Sequence, residues 1–170
     1  SRIRRLWLDP SPRPLPEALH ALVNADGIVV GPGSLYTSVM PNLLISDIRD
    51  AVAAAPGVRV YVCNVATQPG ETGSYTAAEH LAALFPHVGD GLIDYALLNG
   101  NRTARRPEGW LGEPVEVDER HLEELPVTVI EAVAGSYPAR STSHHGRDVA
   151  PSPVVASRVR VATAHDPSTS

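Results

Sequence analysis

Hydrophobic positions along this chain fall into short runs separated by turn residues, with helical spacing between them. Gly27-Ile28-Val29-Val30 is an apolar run closed by Gly31-Pro32-Gly33, and Val58 to Val62 is a second. Leu92 to Leu98 is a third, ending in Asn99-Gly100-Asn101, and Val127 to Val133 a fourth. All four predict strands, and the first two predict buried strands, the first of them fully buried and parallel. Arg2 to Leu8 predicts a further strand, and Pro114 to Val117 an edge strand.

Helices are predicted between them. Pro16 opens a short helix to about Val23, with Leu15, Leu19 and Leu22 as its buried stripe. The segment after Ser34 is helical or loop-like until Pro41. Ser46 or Asp47 caps a helix through about Ala55, stopped by Pro56-Gly57. Thr76 opens a helix through about Phe85, and Glu79 three residues on completes a capping-box pattern. Asp118 caps a short helix to about Leu125. Strand, loop and helix in repeated order predict an α/β protein with a mostly parallel Rossmann-like sheet flanked by helices. The loops following the strands then share one edge of the sheet, where ligands of open α/β sheets bind.

Composition narrows the picture. The 170 residues suit one domain or part of a larger one. The net charge of −5 weighs against nonspecific nucleic-acid binding. All 14 basic residues are Arg, which reflects codon usage first and phosphate recognition second. Cys63 is the only cysteine, so an internal disulfide is impossible and a reduced, cytoplasmic setting is expected. No apolar run approaches the ~18 residues of a membrane span, and no signal-peptide pattern stands at the start. Residues 136–170 hold 14 Ser, Thr or Pro and predict a loosely ordered tail behind a folded unit over residues 1–135.

Three post-strand loops carry the candidate chemistry. In Gly31 to Ser38 the glycines allow close backbone approach, and Ser34, Thr37 and Ser38 add hydroxyl donors. This suits a phosphate or diphosphate, and equally a tight strand-to-helix turn that binds nothing. Asn64 to Thr72 combines amide, hydroxyl and carboxylate groups able to read a sugar, a base edge or a metal-bound phosphate. Its one acid, Glu71, suits a general base, a water-mediated Mg²⁺ ligand or a bracing acceptor. His80 lies one turn beyond Thr76, facing either the ligand edge or the core. Arg102, Arg105 and Arg106 surround a turn. Cys63 reads as a packed thiol, Trp7 and Trp110 as packing or interface residues, and His144-His145 with Asp148 lacks a second cluster for a metal.

Together these blocks resemble the YvcK-type gluconeogenesis factors of the CofD-like (UPF0052) superfamily. The resemblance is carried by Ala25 to Ser38, Pro41-Asn42-Leu43-Leu44, Val60 to Val65, Thr67 to Thr72, and Tyr75-Thr76-Ala77 with His80. It implies the C-terminal half of a CofD-like domain, with a glycine-rich phosphate loop in an N-terminal half absent here. A chain without an initial Met agrees with a preceding segment or a removed initiator. It further implies a regulator of carbon metabolism, cell-wall synthesis and cell shape that binds a UDP-sugar such as UDP-N-acetylglucosamine or UDP-glucose. The ligand-binding residues would be Gly31, Gly33, Ser34, Tyr36, Thr37, Ser38, Asn42, Asn64, Thr67, Gln68, Glu71 and Thr72. No catalytic or metal-ligating residue is assigned. The alternatives are a CofD-type 2-phospho-L-lactate transferase, which would use Mg²⁺, a guanylyl-activated donor and a deazaflavin acceptor, and an inactive fragment. An open strand edge at Arg2 to Leu8 predicts self-association.

Overall fold

The fold was read from a computed structural model, which describes Ile3, residues 5–101, Gly109, residues 111–132 and the backbone of Val159–Ala162. Arg2, Arg102, Arg105, Arg106, Trp110, Val133 and residues 136–158 and 163–170, with His144, His145, Arg147 and Asp148, lie outside the described residues.

Helix α1 (Pro16–Val23) starts on a proline, whose fixed φ suits a first helical turn. It closes where the Asn24 side chain donates to His20 O at 2.8 Å. Strand β1 (Gly27–Val30) follows, then a π-helical turn (Leu35–Val39), α2 (Met40–Leu44) and α3 (Ser46–Ala54). Pro56-Gly57 ends α3, and β2 (Val58–Val62) begins. Helix α4 (Ala77–Val88) leads to β3 (Tyr95–Asn99), α5 (Glu119–Leu122), β4 (Thr128–Ala132) and β5 (Val159–Ala162). The strands stand in the order β1-β2-β3-β4-β5; the first four are parallel and β5 is antiparallel to β4.

The sheet's two faces differ. Cross-strand partners share a face, so Val30, Tyr61, Ala96 and Val129 form one row across it. Tyr61, Ala96 and Val129 are buried in this row, with Leu35, Met40, Leu43, Leu81, Leu84 and Phe85 in the same core cluster. Val29 and Val60 face the opposite side, where Val29 is 66% exposed. The end of the sheet away from the post-strand loops is pinned by charge. Arg59 donates through Nε to Asp94 Oδ2 at 2.9 Å and through Nη2 to Oδ1 at 2.6 Å, and its backbone N–H adds a third bond at 2.8 Å. The guanidinium holds the Asp94 carboxyl below the usual carboxylate range.

Several expectations change. Among the described residues, 3 and 5–8 form no strand, and the edge of the sheet is β1. Charged and apolar positions alternate there, but the segment pairs with no neighbouring strand. Instead Trp7 is 66% exposed, with the Arg5 guanidinium 5.7 Å from its ring centre. β1 is not fully buried, because a strand with one neighbour and one covered face keeps an open side. Leu15 sits outside α1 as its N-cap and is 70% exposed, while Leu19 and Leu22 are half-buried. Ile45 occupies the N-cap of α3, which places Ser46 and Asp47 inside the helix without a capping bond. α4 runs on to Val88, because Pro86 falls in its last turn. β3 starts only at Tyr95: Leu92 and Ile93 are spent on the core, and Asp94 on the pair with Arg59. Pro114 forms a single bridge, to Ala66, rather than part of a strand. β5 pairs from within the stretch expected to be loosely ordered.

Gly57 makes the α3–β2 turn possible by close approach. A Cβ built there would stand 2.1 Å from the Asp26 carbonyl carbon, a backbone atom that cannot swing aside. Gly57→Ala is therefore expected to destabilise the fold by about 1–3 kcal/mol or more in urea unfolding. Gly73→Ala, whose nearest neighbours would lie at 3.9 Å, should stay within about 0.5 kcal/mol of the parent.

Candidate functional site

Parallel strands carry their following loops to one edge, and here two of those loops are laced together. β1 ends at Val30, and Gly31 turns the chain with φ +86°, a conformation that costs an L side chain energy. A Cβ at Gly31 would also stand 2.9 Å from Val62 O, so this glycine is required twice over. β2 ends at Val62; Cys63 N–H still bonds Leu97 O at 3.0 Å before the chain leaves the sheet.

There a side chain continues the ladder. Asn64 Oδ1 accepts from Gly33 N–H at 3.1 Å, and Asn64 Nδ2 donates to Gly33 O at 2.9 Å. A carboxamide has the same donor and acceptor as a peptide group, so Asn64 pairs with Gly33 as one strand residue pairs with another. Two further bonds close the seam. Gln68 Nε2 donates to Ser34 Oγ at 2.6 Å, and Thr37 Oγ1 donates to Glu71 Oε1 at 3.0 Å.

Each loop is also braced from behind. Ser38 and Val39 N–H groups both bond Ser34 O at 2.9 Å, forming the π-helical turn. Buried Tyr36 meets the Tyr75 hydroxyl at 2.7 Å. Thr67 N–H bonds Glu113 O at 2.7 Å, and the Thr67 hydroxyl accepts from Glu113 N–H at 3.0 Å. Thr72 Oγ1 accepts from Gln68 N–H at 3.0 Å, and Thr72 N–H returns a bond to Gln68 O at 2.9 Å.

The predicted ligand residues therefore divide. Gly31, Gly33, Ser34, Thr37, Asn64, Gln68 and Glu71 meet along the seam between the loops. Exposed Ser38 belongs to the same turn, and Asn42 holds it by donating to Ser38 O at 2.7 Å. Tyr36, Thr67 and Thr72 are buried, and their side chains point into the bracing instead. The Asn99–Asn101 loop turns onto β4, with Gly100 N–H bonding Ala132 O at 2.9 Å. Glu113 is the participant that sequence reasoning missed; its contribution is a backbone pair, which no side-chain pattern signals.

The titratable groups nearby suit positioning. Thr76 and Glu79 form both halves of the capping box of α4, at 3.2 and 3.0 Å. His80 is fully buried; its Nδ1 donates to Thr76 O at 2.9 Å, and Tyr75 meets its ring edge-on at 5.5 Å between centres. Burial holds this imidazole below its usual pKa, hence neutral at pH 7. Burial likewise pushes the Cys63 thiol up to about 12, so it carries no thiolate for attack. Among the described residues no cluster of three His, Cys, Asp or Glu could hold a metal, and no helix is long and apolar enough to cross a membrane.

Comparison with known proteins adds relatives to this geometry. The family model described as 2-phospho-L-lactate transferase CofD matches residues 1–134. The gluconeogenesis factor of Bacillus subtilis is 46% identical over 134 residues, covering 76% of this chain and 42% of the relative. The gluconeogenesis factor of Halalkalibacterium halodurans is 45% identical over the same shares. A crystal structure of a UPF0052-family protein from Bacillus halodurans superposes with a TM-score of 0.66 at 43% identity, covering 74% of this chain and 42% of that one. The chain thus spans about two-fifths of the length of these curated relatives.

If the Asn64–Gly33 pair sets the seam, Asn64→Ala should cost about 1–3 kcal/mol in denaturant unfolding, because it strands a half-buried N–H and C=O together. Asn64→Asp should not rescue it, since a carboxylate repels Gly33 O. A loss below about 0.5 kcal/mol for the alanine variant would remove the pair from this role.

Proposed function

Since the chain belongs to the CofD family, we propose that it is a nucleotide-sugar-binding regulator of the gluconeogenesis-factor type. The observation that carries this reading is the seam at the carboxyl edge of the parallel strands. There a glycine loop with exposed hydroxyls is bonded edge to edge with a loop rich in amide, hydroxyl and carboxylate groups. One ligand with an anionic part and a polyol part matches such a wall. The diphosphate would meet Gly31, Gly33, Ser34 and Ser38, and the sugar would meet Asn64, Gln68 and Glu71. Relatives named as gluconeogenesis factors support a regulatory role. In that role a UDP-sugar, UDP-N-acetylglucosamine or UDP-glucose, would report on carbon supply to cell-wall synthesis in the cytoplasm. The part of the relatives' length that this chain does not span would complete the pocket.

The name of the matching family model favours one second reading, a 2-phospho-L-lactate transferase. That activity would draw on a guanine nucleotide and Mg²⁺, toward which Glu71 would offer a carboxylate on the seam.

Thermal melting of the intact protein with UDP-N-acetylglucosamine separates the two. At about 100 times its dissociation constant the sugar nucleotide should stabilise by about 2.7 kcal/mol. A shift with GDP and none with any UDP-sugar would favour the transferase, and no shift with either would overturn both.

A further inference from the structure

We infer that the outer face of the sheet, together with the open edge of β1, is a docking surface for a second α/β unit: the part of the CofD domain that this chain does not span. The inference holds whichever ligand the seam takes.

Topology leaves that face bare. The four parallel strands stand side by side in chain order, so every crossover steps the same way across the sheet. Right-handed crossovers that all step one way place their connections on one face. Residues of all five helices accordingly belong to, or pack against, one core cluster that holds Tyr61 and Ala96. The opposite face carries Val29, Val58, Val60, Val62, Leu97 and Ile130. None of the six is buried, and Val29 and Val58 are 66% and 52% exposed. No charged residue of β1 to β4 stands on this face, because Arg59 and Glu131 both fall on the other.

The edge is as open as the face. Among the described residues β1 pairs with β2 alone. Its sequence, Gly-Ile-Val-Val, has none of the charges or prolines that normally blunt an exposed edge. All-parallel sheets occur almost only with both faces covered. Bare face and bare edge meet at β1, so one partner covers both. Its strands step outward from β1 in the other direction, as in a doubly wound sheet, and its right-handed crossovers then lay helices over the valines. The relatives have the length for such a unit, since this chain covers 42% of each gluconeogenesis factor it matches.

Unfolding of the intact protein with Val29→Lys or Val58→Lys tests this. Under the covering unit each lysine is an unpaired charge in an apolar interface, and each variant should melt about 10 °C or more below the parent. Melting within about 2 °C of the parent for both would mean a solvated face and overturn the inference. Amide exchange of the parent gives a reading that needs no variant to fold. With β1 paired on both sides, the N–H groups of Ile28, Val29 and Val30 should all exchange slowly. Fast exchange at alternate residues would leave the edge open and contradict the docking. A dimeric mass in sedimentation, with a melting temperature that rises with protein concentration and is lost in Val29→Lys, would assign the face to a second copy and overturn the inference as well.

Discussion

Everything at the candidate site depends on one reciprocal hydrogen-bond pair, the Asn64 carboxamide against the Gly33 peptide. A parallel ladder ends where its strands end, and the loops beyond it have no backbone reason to stay together. Asn64 supplies that reason with a side chain that imitates a peptide group. It works because Gly31 turns the first loop back across the end of β2, at a distance that excludes any side chain. With that contact made, Ser34 reaches Gln68 and Thr37 reaches Glu71. Two loops become one wall.

The rest of the fold keeps this wall in place. At the other end of the sheet the Arg59–Asp94 pair ties β2 to the start of β3 with three bonds, fixing their register. Behind the loops, the tyrosine pair, buried Thr67 and Thr72, and the capped start of α4 leave little freedom. Rigidity of this kind lowers the ordering cost of binding a flexible ligand. Neutral His80 and the un-ionised Cys63 thiol are buried within this frame.

Strand order and the loops were legible because short apolar runs closed by Gly, Pro and Asn leave few alternatives to a parallel α/β sheet. Family membership was legible in the Gly31 to Ser38 and Asn64 to Thr72 blocks. Exposure was harder to read. Val29 is as apolar as a core residue and yet faces outward, because a run of valines does not say which face of a strand is covered. Leu15 keeps helical spacing with Leu19 but precedes the helix. Residues 3 and 5–8 have the composition of a strand and pair with no strand among the described residues. Within the site, Thr67 and Thr72 resemble ligand residues by type. What diverts them inward is a backbone partner at Glu113 and a turn back to Gln68, neither of which local sequence specifies.

The most direct test of the account is the position of a bound nucleotide sugar, determined by crystallography of the intact protein soaked with UDP-glucose. The account requires the diphosphate against Gly33, Ser34 and Ser38, the hexose against Gln68 and Glu71, and the Asn64–Gly33 pair still intact. A ligand bound away from the seam, or one that lies across it with the hexose at Ser34 and the phosphates at Glu71, would contradict it.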